Sequence, residues 1–435
     1  VTAAPRGAFV FAPDRCTGCE ACRVACGNEN GAGADVGWRQ VLTLNPARHP
    51  ALPTAHLSLA CNHCDTPACL LGCPAAAYRR DARTGAVLLD AQLCIGCRYC
   101  SWVCPFDAPR FDAPRGVMAK CTYCSHRLER GGQPACTQAC PTGALAFGQR
   151  EAGAAEPEGP GLSPSGLGPA LVALPLRRAL PAAPWPAVAQ PMPPRKITPR
   201  SEWALVVFTV VMPALVAWLA AGLIDGDRQP PLLAFPGLGA LAMALSASHL
   251  GRPERAWRAI LNVRSSWLSR EVLAANAFLA LGAGSLLAGG RGLGLAAAAA
   301  GLLLCVAIDG VYRAVPRAAG PAVHSAEAVP AAVFLLGAFA GLPWLATGAA
   351  GYRGVLFVLR WREEESGLPA WASSLRLALL ALPCLPGLPF PMAALLAVAG
   401  ETIDRASFYA TLEPDSPARH MRRQAGGPAG SQDFA

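Results

Sequence analysis

Sixteen of the eighteen cysteines in this 435-residue chain fall within its first 140 residues, in four groups of four whose spacing nearly repeats. The first group, Cys16, Cys19, Cys22 and Cys26, and the third, Cys94, Cys97, Cys100 and Cys104, both read C-x2-C-x2-C-x3-C. The second, Cys61, Cys64, Cys69 and Cys73, lengthens one gap, and the fourth, Cys121, Cys124, Cys136 and Cys140, carries a longer insertion before its last pair. Few chemistries call for so many thiols so close together. A disulfide scaffold belongs to short secreted chains and has no need of four C-x2-C starts. Structural zinc takes two C-x2-C pairs per ion, not runs of four.

What remains is iron–sulfur ligation. In the bacterial run, three closely spaced thiolates wrap one face of a cubane and the fourth reaches across to another cluster. Sixteen ligands then serve four 4Fe–4S clusters. The short gaps keep backbone amides near the sulfurs, and Pro74, Pro105 and Pro141 follow the fourth cysteine and turn the chain away, whereas Gly27 stands there in the first group. His63 sits inside a C-x2-C pair, but the cysteines already complete the set, so it is expected to be a solvated or outer-sphere neighbour. Apolar stretches such as Ala86 to Leu89 and Leu145 to Phe147, with a turn at Thr84-Gly85, predict an α+β domain over residues 1–150: two intertwined ferredoxin-like units held together by their clusters.

From 151 to 200 the composition turns to Pro, Gly and Ala, with twelve prolines between Pro157 and Pro199. This predicts a linker with little secondary structure. The chain is 53% hydrophobic and only 15% charged, so part of it must meet lipid. Six segments are long enough to cross a bilayer: Trp203 to Ile224, Leu232 to Leu250, Val272 to Ala288, Leu293 to Val311, Ala328 to Ala350 and Leu377 to Ala399. Residues 201–412 therefore read as an all-α polytopic transmembrane domain, and 413–435 as a polar tail. Val355 to Val358 mark a candidate further segment, and Pro383, Pro386, Pro389 and Pro391 break the last one. Cys305 and Cys384 stand alone in apolar segments and read as packing residues. The net charge of +9 is spread along the linker and between apolar segments, which argues against nucleic acid as a partner. Val1 to Asp14 carries neither a signal-length apolar core nor a twin arginine.

If each segment crosses once, Arg195, Lys196, Arg200, Arg252, Arg255, Arg258, Arg264 and Arg270 share the face of the clusters, against Arg228, Arg291, Arg353, Arg360 and Arg362 opposite. The positive-inside rule then predicts a cytoplasmic iron–sulfur domain. Between the second and third segments, Pro253 opens a stretch in which Ala256, Trp257, Ile260 and Leu261 oppose Arg255, Arg258 and Asn262. This predicts an amphipathic helix in the membrane interface. It joins His249 to Glu271, both suited to accept the protons a quinol releases with its electrons. The residues alone leave a second reading open, in which His249 caps its helix and Glu271 pairs with Arg270. Beyond the linker the only histidines are His249, His324 and His420, too few for two haems with paired histidine ligands, so a haem-free quinone site is expected. An ion pump would need a series of ionisable groups, and the apolar segments offer little beyond Asp309.

The motifs Cys16-Thr17-Gly18-Cys19-Glu20-Ala21-Cys22, Cys94-Ile95-Gly96-Cys97-Arg98-Tyr99-Cys100 and Cys140-Pro141-Thr142-Gly143-Ala144 resemble the four-cluster electron-transfer subunit of the dimethyl sulfoxide reductase group of molybdenum enzymes. His249-Leu250-Gly251 and Trp267-Leu268-Ser269-Arg270-Glu271 resemble the membrane anchor of the same enzymes, over 200 to about 350. The resemblance implies one cluster on Cys16, Cys19, Cys22 and Cys140, and a second on Cys26, Cys121, Cys124 and Cys136. It implies a third on Cys61, Cys64, Cys69 and Cys104, and a fourth on Cys73, Cys94, Cys97 and Cys100. The first would face the molybdenum subunit and the fourth the membrane. It further implies a quinol site at His249 and Glu271, with Arg270, Arg255 and Trp267 as candidate lining. The expected partners are a molybdopterin-containing catalytic subunit, the quinone pool (menaquinone) and the lipid of a bacterial inner membrane, in anaerobic respiration. A polysulfide, thiosulfate or tetrathionate reductase module is the alternative. The family's anchor has eight spans, against six counted here.

Overall fold

The computed structural model describes residues 6–31, 37–50, 52–151, 153–177, 195–317, 324–362, 370–385 and 387–424. Most of the second half of the expected linker, the tail beyond 424, Pro386 and the side chains of Arg360 and Arg362 lie outside them. The chain divides into two compact units: Val1–Pro194 with Val315–Ala318 and Pro414–Ser431, and Arg195–Ala314 with Ala319–Glu413 and Gln432–Ala435.

The first unit has little regular structure. β1 (Arg6–Phe11) is the centre of its largest sheet, alternating enough apolar residues to bury Ala8, Phe9 and Phe11. It pairs antiparallel with β8 (Leu145–Arg150) and parallel with β9 (Leu171–Ala173). Three two-stranded ribbons complete it: β2 (Gln40–Leu44) with β3 (Ala55–Leu59), β4 (Tyr78–Arg80) with β5 (Val87–Leu89), and β6 (Arg110–Asp112) with β7 (Val117–Ala119). The helices are short: α1 (Ala21–Asn30) and the single turns α2 (Ala68–Leu71), α3 (Tyr99–Trp102), α4 (Ser125–Leu128) and α5 (Ala135–Gln138). Phe9, Phe11, Leu44, Leu57 and Leu145 share one core with several of the cysteines.

Every C-x2-C start is built alike. Its third residue is left-handed, at φ 70° for Gly18, 43° for His63, 72° for Gly96 and 59° for Tyr123. That turn aims the residue's N–H back at the first sulfur: His63 onto Cys61 at 3.5 Å, Gly96 onto Cys94 at 3.4 Å and Tyr123 onto Cys121 at 3.4 Å, with Gly18 donating likewise to Cys16. Glycine adopts such a φ freely; His63 and Tyr123 are held there by packing, their rings 3.6 Å apart between centroids.

The beginning of the expected linker belongs to this unit. Ala170 donates to the Asn62 carbonyl at 2.7 Å, Asp65 to that of Gly168 at 2.8 Å and Thr66 to that of Leu167 at 2.9 Å, so 167–173 runs beside the second cysteine group before forming β9. The polar tail also joins it, through α14 (Pro417–Gln424): Met421 is 2% exposed in the same core as Phe9, and the Gln424 carboxamide bonds Gly161 and Gly159.

The second unit is helical: α6 (Trp203–Ile224), α7 (Ala234–Ser248), α8 (Trp267–Ala288), α9 (Arg291–Arg313), α10 (Ala328–Phe339), α11 (Pro343–Arg362), α12 (Ala370–Ala381) and α13 (Phe390–Thr411). By length and composition α6, α8 and α9 can each cross a membrane, while α7, α10 and α12 are apolar but shorter. Two of the expected segments are divided. Ala328 to Ala350 breaks at Gly341, whose φ of 65° ends α10, and the stretch from Leu377 is interrupted by a 3₁₀ turn at Leu382–Cys384 among the prolines. The amphipathic stretch after His249 is a 3₁₀ helix, Pro253–Ile260, with Ala259 buried and Trp257, Ile260 and Leu261 exposed.

Candidate cluster sites and the anchor loop

Cys16, Cys19, Cys22 and Cys140 line one pocket together with Phe11, Val41, Ala144 and Leu145. Cys61, Cys64, Cys69 and Cys104 line another, with His63, Val87, Val103 and Phe106. The remaining thiols act on one another across the expected sets as well as within them: Cys136, Cys124 and Cys22 on Cys26, and Cys61, Cys26 and Cys136 on Cys121. Cys73 and Cys94 act on Cys97, and Cys97, Cys69 and Cys73 on Cys100, so these neighbours alone do not divide the eight thiols into two sets. Among the described residues no three His, Cys, Asp or Glu side chains converge closely enough for a single ion. Thiols spread around a cavity suit a polynuclear group better than a zinc ion.

Two observations test that fit. Burial pushes the thiols of Cys26 and Cys97 up to about 12, so a bare set would stay protonated, whereas a coordinating metal removes the proton outright. Cys140 goes the other way: burial raises it, but the Leu145 N–H at 3.4 Å and the Thr142 hydroxyl bring it below the ordinary value. The second observation is Arg39, 2% exposed, whose Nε and Nη2 have no oxygen or nitrogen acceptor among the described residues and which engages the Cys136 thiol. An anionic group among these cysteines is what such a cation lacks.

Buried polar side chains fill the intervals between the cysteine sets. Arg39 faces Cys136 and Cys121 as well as Cys22. Lys120 is 2% exposed, donates to the carbonyls of Val87 and Cys121, and acts on Cys69. The Tyr78 phenol faces Cys100 and Cys69. Of the two roles expected for His63, solvated or outer-sphere, burial excludes the first: it is 1% exposed, its Nδ1 accepts from the Val87 N–H at 2.9 Å, and its Nε2 has no partner among the described residues.

In the helical unit, His249 follows the last residue of α7 and its Nδ1 bonds the Ser246 carbonyl. Glu271 stands in the second turn of α8, 6% exposed, and the charge acting on it is Arg405 of α13. Arg270 does not pair with it: its Nε donates to the Val263 carbonyl at 3.0 Å and its Nη2 to that of Arg264 at 2.7 Å, and the guanidinium lies 4.5 Å from the Trp267 ring centroid. Arg255, on the 3₁₀ helix, is partly exposed. Tyr312 and Tyr409 share a hydrogen bond, and Glu271 acts on both.

Comparison with known proteins decides the family. An anaerobic dimethyl sulfoxide reductase chain of Haemophilus influenzae is 38% identical over 148 residues, which is 32% of this protein and 72% of that relative. The protein belongs to the dimethyl sulfoxide reductase family. The probable anaerobic dimethyl sulfoxide reductase chain YnfG of Escherichia coli K12 is 39% identical over 151 residues, 33% of this protein and 73% of the relative. A sulfite dehydrogenase subunit of Allochromatium vinosum is 35% identical over 162 residues, 32% of this protein and 68% of the relative. The 4Fe-4S dicluster domain family matches residues 53–150, and the DMSO reductase anchor subunit family matches 231–289, which holds both His249 and Glu271. This member of the dimethyl sulfoxide reductase family thus carries an iron–sulfur electron-transfer subunit and its membrane anchor in one polypeptide.

Several residues escaped the reading of the sequence. Glu401, Asp404 and Arg405 lie in α13 just beyond Ala399, where the apolar run was taken to end, so the expectation of little beyond Asp309 is corrected. Asp404 bonds Arg353 at 2.9 Å, Arg376, and the Ser325 hydroxyl at 2.9 Å. Arg353, counted on the membrane face opposite the clusters, is 1% exposed inside that network. The signal available was charge inside an apolar helix, at the i and i+3 spacing of Glu401 and Asp404. Nothing in the pattern around Arg39 marks it.

Proposed function

We propose that this protein oxidises quinol in its helical unit and delivers the electrons, through four 4Fe–4S clusters in its first unit, to a separate molybdopterin-containing catalytic subunit. The observation that carries the reading is Glu271: a carboxylate 6% exposed, in a helix of bilayer length, within the segment that matches the anchor family and facing Arg405. Buried carboxylates in such helices are costly and are retained for function.

Quinol oxidation releases two protons with two electrons. Glu271 takes one at its carboxylate. His249, whose Nδ1–H is donated to the Ser246 carbonyl, takes the other. Trp267 and Arg255 are the candidate lining of the quinol site, and Arg270 braces the loop through the Val263 and Arg264 carbonyls. The clusters supply one-electron acceptance, and the sixteen cysteines hold them in the four sets named above. We read α6, α8 and α9 as crossings, with the cluster unit on the cytoplasmic side of a bacterial inner membrane. The burial of Arg353 removes a charge from the opposite face and strengthens that bias.

The similarity to a sulfite dehydrogenase subunit favours a second reading in which electrons run the other way, toward quinone. An ion-pumping role is less favoured: Glu401 and Asp404 are already neutralised by Arg353 and Arg376, which makes the network a lock and not a relay.

The test is quinol-driven reduction of the clusters in membranes, followed by electron paramagnetic resonance, for the native protein, His249→Ala and Glu271→Gln. Rapid reduction of the native protein that both substitutions abolish, with all cluster signals retained, supports the reading. Unchanged reduction in the variants places quinol elsewhere.

A further inference from the structure

We propose that Arg39 is a fixed cation shared by the first two clusters, setting both of their reduction potentials and donating hydrogen bonds to their sulfurs. The inference rests on the four-cluster reading and assigns a role to a residue outside every cysteine motif.

Arg39 is among the largest fully buried side chains of the molecule. Three of its attachments are visible. Nη1 donates to the Ser58 hydroxyl at 3.0 Å; that hydroxyl lies 3.3 Å from the Cys22 sulfur; and the guanidinium stacks 4.3 Å from the Phe9 ring centroid. Among the described residues Nε and Nη2 have no oxygen or nitrogen acceptor, and the side chain that engages Arg39 beyond Ser58 and Phe9 is the Cys136 thiol. The strongest charges acting on it are the thiols of Cys136, Cys121, Cys22 and Cys26. Cys22 belongs to the first expected set and the other three to the second, so the cation stands where the two sets adjoin.

A guanidinium out of water is costly unless charge or acceptors compensate it, and the described residues provide one hydroxyl, one aromatic face and the Cys136 thiol. Anionic clusters on both sides supply what is missing. Reduction adds a negative charge to either cluster, and a permanent positive charge nearby favours the reduced form, so both potentials are raised. An electron moving between the two sites leaves one oxidised and the other reduced, and no proton follows, because the guanidinium stays protonated throughout.

The experiment is a redox titration by electron paramagnetic resonance on the full-length protein, with iron counted in the same samples. The first two clusters are identified as the signals lost in Cys19→Ser and Cys124→Ser. Arg39→Met, with its iron complement intact, is expected to shift those two signals to lower potential and leave the other two in place, while Arg39→Lys keeps them near the native values. Unshifted signals in Arg39→Met, or an equal shift of all four, would overturn the proposal. Should Arg39→Met lose its clusters, native protein grown with guanidino-¹⁵N arginine provides the second readout: a ¹⁵N coupling on the first two reduced signals supports the role, and its absence there refutes it. Fewer than four cluster signals in the native protein would instead defeat the underlying four-cluster reading.

Discussion

Arg353 of α11 holds both carboxylate oxygens of Glu401 on α13, and the two side chains are only 1% and 6% exposed. Removing one partner strands a buried charge, which costs roughly 3–5 kcal/mol, whereas replacing both by apolar residues of similar size is often close to neutral. Arg353→Leu should therefore lower the unfolding temperature of the detergent-solubilised protein sharply. The double change Arg353→Leu with Glu401→Leu should recover part of that loss.

Gly18 has a φ of 70°, and a methyl group on it would stand 2.5 Å from the His56 ring. Gly18→Ala combines about 1–2 kcal/mol of left-handed strain with a clash inside the Cys16–Cys22 turn. Iron should fall by about a quarter, the share of one cluster in four, with one signal lost. Gly143→Ala, at a φ of 61° with open space around it, carries the strain without the clash and should keep its iron.

Gly310 of α9 gives room to the Trp267 ring, 2.5 Å from where its Cβ would lie. Gly310→Val must push Trp267 away from the turn that carries Glu271. Quinol-driven cluster reduction should slow at least tenfold while the cluster signals keep their potentials; an unchanged rate would remove Trp267 from the site.

Glu156 collects the N–H groups of Ser165 and Gly168, the latter at 2.7 Å, and the Ser165 hydroxyl at 2.9 Å. Burial raises its carboxyl, but these donors outweigh it and hold the group below the usual carboxylate value. Its contribution is therefore complete above the unfolded value of 4.5 and is lost as pH falls from there through the lower folded value. At pH 7, Glu156→Gln should speed amide exchange across 156–170; at a pH low enough to protonate the native carboxyl, the two proteins should exchange alike.

Stripping iron with a chelator should unfold the first unit and spare the second. The first is a set of short ribbons and single helical turns around its cysteines, and metal binding is folding energy in domains of this kind. Amide exchange should rise across 6–151 and leave α6, α8 and α9 protected.

The cysteine spacing made the first domain legible because each C-x2-C start is a local turn, set by residues three apart. Hydropathy made α6, α8 and α9 legible for a similar reason: the property that defines each helix lies within it. Arg39, Arg405 and the pairing of Tyr312 with Tyr409 were not legible, since their roles arise from segments brought together over long separations. The strand at Leu171–Ala173 was hidden by its proline-rich surroundings, which satisfy no local pattern and find their hydrogen bonds along Asn62 to Thr66. The sequence left His63 open between a solvated and an outer-sphere place, since only the Tyr123 ring, brought in from a distant segment, shows that it is covered.

Met421 shares a core with Phe9 and Leu145, yet α6 to α13 all lie between them in the sequence. A ribosome must therefore thread the entire helical unit before the piece that closes the iron–sulfur core has been made. Until residue 421 emerges, the core of Phe9 and Leu145 lacks one of its buried members, so it is completed only after the whole helical unit has been made.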